Sequence, residues 1–134
     1  MADGQERFDK IAGTMSDRAV PPADIHPEEF FTRWVPASVA ADESRRRRLA
    51  RTEAVLEFIL TDHEQGIYHL RVTQGVVVGV VGEAPAPDLR VRLDIETWQS
   101  LNAGDLSAPE AFRKRRVRLE GDFTLALKLH LILG

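Results

Sequence analysis

Residues 111–134 read AFRKRRVRLEGDFTLALKLHLILG, and the reading of this stretch decides the fold. Ala111-Phe112 closes a helical run. From Arg116 to Glu120, charged residues alternate with Val117 and Leu119, the period-two pattern of a half-buried strand. Gly121-Asp122 breaks that strand, and Phe123 to Leu133 is nearly all apolar. Two periods coexist in this last segment. Leu125, Leu127, Leu129, Leu131 and Leu133 alternate as a strand does, whereas Phe123, Ala126, Leu127, His130 and Leu131 recur at helical spacing. Propensity separates them, because leucine, alanine and lysine favour helix, valine is missing, and Asp122 is a good N-cap. The segment is expected to be a helix, apolar around most of its circumference. Such a helix is buried on nearly all sides or faces something apolar that is not protein.

The preceding elements follow from the same signals. His26-Pro27-Glu28-Glu29 starts a helix, with proline at its first position and acids at its positive end. Phe30, Phe31, Trp34 and Val35 form a wide aromatic face, Pro36 predicts a bend, and 37–51 continues as a second helical piece. Ala54 to Thr61 reads as a strand with Leu56, Phe58 and Leu60 on one face and Glu57 on the other. After a turn at 62–66, Ile67 to Thr73 sets Tyr68, Leu70 and Val72 against His69 and Arg71. Gln74-Gly75 makes a tight hairpin to Val76–Val81. A loop at 82–87 leads to a fourth strand, with Leu89, Val91 and Leu93 inward and Arg90 and Arg92 outward. Asp94 caps a helix carrying Trp98 and Leu101, Gly104 ends it, and Ser107-Ala108-Pro109-Glu110 starts another.

The sum is an α+β domain: a five-stranded, mainly antiparallel sheet with helices covering one face. The other face is expected to be solvated and rich in arginine, carrying Arg71, Arg90, Arg92, Arg116 and Arg118. Residues 1–24 are polar and mixed in charge, and are expected to form a mobile arm ahead of one domain at 25–134. Arg45 to Arg48 reads as a solvated helix end, where cations meet the negative dipole, with attraction to anionic lipid or nucleic acid as the functional alternative.

The order of these motifs resembles the type 2 sterol carrier protein (lipid-transfer) domain family. The resemblance is carried by Ala111-Phe112, the basic–apolar strand, and Gly121-Asp122 followed by Leu125-Ala126-Leu127-Lys128-Leu129. Pro87-Asp88-Leu89-Arg90-Val91, the helix opened by Asp94 and Asn102-Ala103-Gly104-Asp105-Leu106 are similar to that family's middle block. The resemblance covers residues 53–134 and extends back to about Pro27. The chain departs from the family at Arg115, where a glycine usually occupies the turn before the last strand. The resemblance implies an apolar cavity between sheet and helices that holds sterols, fatty acyl chains or other lipids, with no cofactor.

Composition bounds the alternatives. The 134 residues contain no cysteine, which excludes disulfides, thiol catalysis and cysteine zinc sites. A formal net charge of −3 argues against generic nucleic-acid binding. The first residues lack the apolar run of a signal peptide and no stretch approaches a membrane span, so a cytoplasmic location is expected. No Gly-x-Ser-x-Gly elbow or glycine-rich phosphate loop occurs. His26, His63, His69 and His130 are scattered without ligand spacing, and Asp62-His63-Glu64 lies in a turn where neighbouring side chains point apart. No catalytic or metal-binding residue is assigned. An unrecognised small enzyme lacks a nucleophile–base pair.

What remains is apolar surface. Phe30, Phe31, Trp34, Phe58, Tyr68, Trp98, Phe112 and Phe123 are expected on inward faces. A packed core and a cavity wall read alike in sequence. With the family implication added, the candidate ligand-binding residues are Phe30, Trp34, Phe58, Tyr68, Leu70, Trp98, Leu101, Phe112, Leu125, Leu129, Ile132 and Leu133, the last helix acting as lid or wall. The outward arginines are expected to meet anionic membrane surfaces. A contact with a partner enzyme, through an exposed Leu131–Gly134 end, is the alternative role.

Overall fold

Gln74 and Gly75 sit at φ 51° and 80°, the pair of left-handed residues that a two-residue hairpin turn needs. The turn fixes the register of the strands it joins, β2 (Ile67–Thr73) and β3 (Val76–Val81), from Thr73↔Val76 to Tyr68↔Val81. A computed structural model of the chain describes residues 20–134, so most of the arm expected at 1–24 lies outside the described residues. β1 (Glu53–Leu60) pairs antiparallel with β2 and parallel with β4 (Leu89–Leu93), and β5 (Val117–Gly121) closes the far edge antiparallel to β4. The strand order is β3-β2-β1-β4-β5. The sheet is thus five-stranded and mixed, antiparallel except for the β1–β4 pair.

One sheet face is apolar on every strand, as the alternation predicts. Leu56, Phe58, Leu60, Tyr68, Leu70, Val72, Val77, Leu89, Val91 and Leu93 are all buried. The first helix covers this face at the β3 edge. It begins at Pro27–Glu29, passes through a π turn at Phe30–Trp34 and resumes as α-helix over Val35–Ala40; the whole is α1. Where a bend was expected at Pro36, the helix has an underwound turn just before it. Proline has no N–H to bond back along the helix, and the Val35 N–H reaches five residues to the Phe30 carbonyl instead. The helix lies so close to the sheet that a Cβ at Gly79 would overlap the Phe31 carbonyl oxygen. Glycine there is what lets the two layers touch.

The second helical piece is shorter than expected. Asp42 interrupts it, caps α2 (Glu43–Arg48) through the Arg45 N–H, and separates it from Ala40. Next come α3 (Ile95–Ala103), capped by Asp94, and α4 (Ala108–Arg113), closed at its start by a Ser107–Glu110 capping box. α4 ends in a Schellman motif. Arg115 adopts φ 60°, the Arg116 N–H donates to the Ala111 carbonyl at 2.8 Å, and the Arg115 N–H donates to Phe112 at 3.0 Å. The tight turn expected to carry glycine survives with an arginine in the left-handed conformation.

The terminal segment corrects a prediction. It is not one helix but a 3-10 run, Phe123–Lys128, followed by α5 (Leu129–Leu133). Asp122 accepts bonds from both the N–H and the hydroxyl of Thr124, only two residues on, which starts the segment as a tight turn. A three-residue period then eclipses Thr124 with Leu127 and Leu125 with Lys128. Leu125 is buried whereas Leu127 is 76 % exposed.

The opposite sheet face is not open solvent throughout. The 82–88 loop crosses it from β3 to β4 and covers its centre. Glu57 is 1 % exposed, accepting from the Ala84 N–H at 2.9 Å and from Arg90 Nε at 2.6 Å. His69, directly opposite Glu57, is 8 % exposed and bonds the Gly82 carbonyl through Nδ1 at 2.9 Å. Asp88 clamps the far end of the loop onto the Val55 N–H at 2.8 Å.

Candidate functional site

Phe31 is the hub of the interior. Its ring stacks on Phe58 at 5.0 Å and on Tyr68 at 5.1 Å, lies 6.4 Å from Trp98, and meets Phe30 edge-on at 4.9 Å. Phe30 meets Trp98 edge-on at 5.4 Å. These are the separations of packed rings. Phe58, Tyr68, Leu70, Phe30, Trp98, Leu125 and Ile132 are buried in one cluster, with Trp34, Leu101, Leu129 and Leu133 half-buried against it. In this conformation the side chains expected to line a cavity fill the space between the layers with one another.

Two of the expected inward rings are outside. Phe112 is 57 % and Phe123 62 % exposed. On the short α4 it is Ala111, fully buried, that faces the interior, and this turns its neighbour Phe112 outward. Phe30 and Phe31 both face inward, as expected of this aromatic face, and the π turn between Glu29 and Val35 carries them; Phe31, left out of the candidate ligand-binding residues, is the ring with the most aromatic neighbours.

The sequence reading also missed Arg45, which is buried and not part of a solvated end. Its Nε donates to the Leu131 carbonyl at 2.7 Å and Nη2 to Ile132 at 3.0 Å, while Nη1 reaches the Ser38 carbonyl and hydroxyl at 3.3 and 3.2 Å. One guanidinium thus ties α1, α2 and the end of α5 together. Burial lowers its pKa from the ordinary value, with Asp42 opposing the shift. Its signal was position: Arg45 and the fully buried Leu49 are one turn apart. Arg46 bonds the Ala40 carbonyl, whereas Arg47 and Arg48 are exposed, as expected for that run. Lys128 Nζ donates to Thr52 Oγ1 at 3.0 Å and pins the 3-10 run to the start of β1. Leu131 and Ile132 are 7 % and 0 % exposed, so the expected sticky end is folded in.

Two grooves open on the surface. One, of about 480 Å³, lies between α1 and the β2–β3 turn, lined by Pro36, Ala37, Ala40, Val76 and Val77 with Arg33 and Arg46. The other, of about 510 Å³, lies between residues 20–25 and α3 and is floored by Trp98. Among the described residues, the buried indole N–H groups of Trp34 and Trp98 have no hydrogen-bond partner.

The arginines divide. Arg71 and Arg118 are exposed and outside the ion pairs found among the described residues. Arg90 and Arg92 share Glu120 at 3.5 Å, and Arg90 also binds Glu57. The Glu57 hydrogen bond raises the Arg90 pKa further, against a smaller effect of burial. Arg116 sits off the end of β5, 4.0 Å from Glu96 on α3, and is not on the open face. The face is therefore less cationic than its arginine count suggests.

Asp62 accepts the Ile95 N–H at 2.9 Å and the His63 Nδ1–H donates to the Glu64 carbonyl at 2.7 Å, so this turn spends its polar groups on backbone. Among the described residues, no three His, Cys, Asp or Glu side chains converge to hold a metal ion, and no helix is long and apolar enough to cross a membrane.

With this geometry, residues 35–134 match the family model described as the SCP-2 sterol transfer family. The chain belongs to that family. A search of curated proteins gave no match. Among solved structures, the inverting sec-alkylsulfatase Pisa1 from Pseudomonas sp. is 23 % identical at a TM-score of 0.65, over 82 % of this chain and 16 % of the sulfatase. Palmitated SCP2L2 from Aedes aegypti is 22 % identical at 0.60, over 79 % of this chain and 93 % of that one. A crystal structure of sterol carrier protein 2 is 22 % identical at 0.56, over 78 % and 88 %. At these identities the likeness shows the fold, which is the α+β sterol-carrier fold expected from the sequence. The present chain spans about a sixth of the sulfatase. The family is one of lipid binding and transfer, and in this chain the inner sheet face is apolar.

Proposed function

We propose that this protein binds one apolar lipid (sterol, fatty acyl or isoprenoid) between its sheet and helices, and carries or presents it in the cytoplasm without covalent chemistry. Family membership over residues 35–134 supports the reading most. The driving force is burial, at roughly 0.8 kcal/mol per methylene removed from water. Because Phe31, Phe58, Tyr68 and Trp98 already fill the interior, loading moves the helical layer away from the sheet. Native mass spectrometry of the purified protein, followed by organic extraction, tests the reading. A discrete co-purifying lipid supports it. A chain that stays empty after incubation with sterols, acyl chains and quinones removes it.

Peripheral contact with an anionic membrane is part of the proposal. Arg71 and Arg118 supply the free cations of the open face, while Arg90, Arg92 and Arg116 contribute less because acids already hold them. Vesicle binding is expected to fall sharply as salt is raised, and salt-insensitive binding counts against this role. A second reading rests on the sulfatase match. A domain that corresponds to 16 % of a larger enzyme's length suits an accessory module for a lipid-handling enzyme. Solubility or stability that depends on such a partner is the outcome that favours it.

A further inference from the structure

Trp98 is the one aromatic side chain among the described residues that belongs both to the interior ring cluster and to a surface groove. On its inner side it meets Phe30 and Phe31 at 5.4 and 6.4 Å. On its outer side it floors the groove of about 510 Å³ bounded by Val20, Pro21, Ile25, Ser100 and Ala103, a volume within the range of small-molecule sites of roughly 300–1,000 Å³. Trp98 is 5 % exposed, and among the described residues no protein acceptor reaches its indole N–H. Native interiors leave few donors in that state, and each one asks for an explanation. The Trp34 N–H, on the helix that carries Phe30, is in the same condition.

We propose that Trp98 is the gate through which ligand passes from this groove into the interior, and that its N–H receives an uncharged acceptor oxygen on the ligand. The inference rests on the lipid-binding reading and sharpens it. The favoured class is a lipid with a carbonyl, ester or hydroxyl head, ahead of a plain hydrocarbon, which offers the N–H nothing. It is also ahead of a carboxylate, because Asp105 and Glu96 line the same groove, and only Glu96 has a cation beside it, Arg116 at 4.0 Å, among the ion pairs of the described residues. Swinging Trp98 outward gives up its edge-on contact with Phe30 and opens the space beside Phe31. The ligand's oxygen then completes the bond that the closed conformation leaves unmade.

The chain has two tryptophans, so a Trp34→Phe background leaves Trp98 as the sole indole reporter. Three sixteen-carbon probes serve: methyl hexadecanoate, hexadecane and hexadecanoate. The ester is expected to bind tightest and to shift the Trp98 emission. Trp98→Phe, which keeps a ring, removes the N–H and is read by calorimetry because it has lost the reporter, is expected to weaken the ester about five-fold, the size of one ordinary hydrogen bond, and to leave hexadecane unchanged. Equal effects on ester and alkane, or no effect on either, overturn the proposal while leaving lipid binding intact. Failure of all three probes to bind the unaltered protein removes the lipid-binding reading itself. Should Trp98→Phe not fold, Ala103→Trp, at an exposed position on the groove wall, keeps the test alive. It is expected to slow ester uptake at least ten-fold, and unchanged uptake overturns the route.

Discussion

Replacing Arg45 by methionine removes the guanidinium that joins α1, α2 and α5 while retaining most of the apolar stem. The Leu131 and Ile132 carbonyls lose donors at 2.7 and 3.0 Å, and both residues are buried, so water does not readily take the donors' place. A buried acceptor left without its partner costs about 1–3 kcal/mol, and two such acceptors bound the loss at about 2–6 kcal/mol. A terminal helix of five residues frays easily and recovers part of this by exposing its last turn. The expectation is therefore about 3 kcal/mol, set against a total of about 5–15 kcal/mol for a domain. Urea unfolding measures it, with Arg47→Met as the control: Arg47 is exposed, and its loss should stay within about 0.5 kcal/mol. Arg45→Lys keeps the charge but not the fork, and should fall between the two. Hydrogen exchange should quicken first in 123–134, ahead of β1 and β2. If Arg45→Met matches Arg47→Met in stability, the guanidinium is not a tether and this account of the helical layer is wrong.

Other substitutions probe the same layers. Gly79→Ala places a Cβ against the Phe31 carbonyl oxygen and should cost about 1–3 kcal/mol or more in urea unfolding; wild-type stability there means that the layers are not in contact as described. Arg115→Gly relieves a left-handed arginine worth about 1–2 kcal/mol, offset by about 0.5–1 kcal/mol of added unfolded-state entropy. A net gain of about 0–1.5 kcal/mol should appear as a rise in the denaturation midpoint, and any loss refutes the strain argument. Burial first, and then the charge of Glu28, raise the pKa of Tyr68, the chain's single tyrosine. From pH about 10 upward the unfolded chain releases this proton before the folded one does, so stability should fall as pH rises. Tyr68→Phe should remove that part of the alkaline slope, and phenolate absorbance should titrate above the ordinary range in the folded protein.

Strand identity and facing were legible because the sheet depends on a period of two that local sequence states directly. Leu56, Phe58 and Leu60 alternate, the hairpin at Gln74-Gly75 sets register, and each predicted inward strand residue from Leu56 to Leu93 is buried. The helical layer was less legible for two reasons. Its geometry departs from the ideal helix at the π turn before Pro36, which still buries Phe30, Phe31 and Val35 as expected, and at the 3-10 run after Asp122, which leaves Phe123 exposed instead of inward. Its polar residues also act at long range. Arg45 in a run of four arginines looks solvated until a segment 86 residues away delivers two carbonyls to it. Glu57 reads as outward, and is, but the loop that covers it is invisible to strand periodicity.

The two layers differ in what holds them, and that difference bears on how a family built for lipids handles a closed interior. The sheet is tied by continuous ladders across five strands. The helices that cover it are short, α3 with nine residues being the longest unbroken α segment among the described residues, and helices of that length do not persist alone in water. Their position comes from packing on the sheet and from a few long-range ties, Arg45 to α5 and Lys128 to Thr52 foremost. A layer held in this way yields as a unit when its ties are cut, while the sheet keeps its floor of Phe58, Tyr68 and Leu70. If the proposed lipid binding holds, the closed interior is one of two states, and the cost of parting Phe31 from the rings beneath it separates them. Arg45→Met should lower that separation and quicken lipid exchange even where it weakens the fold. A variant that loses stability without gaining exchange rate would place the moving part elsewhere, at Trp98 and the α3 groove.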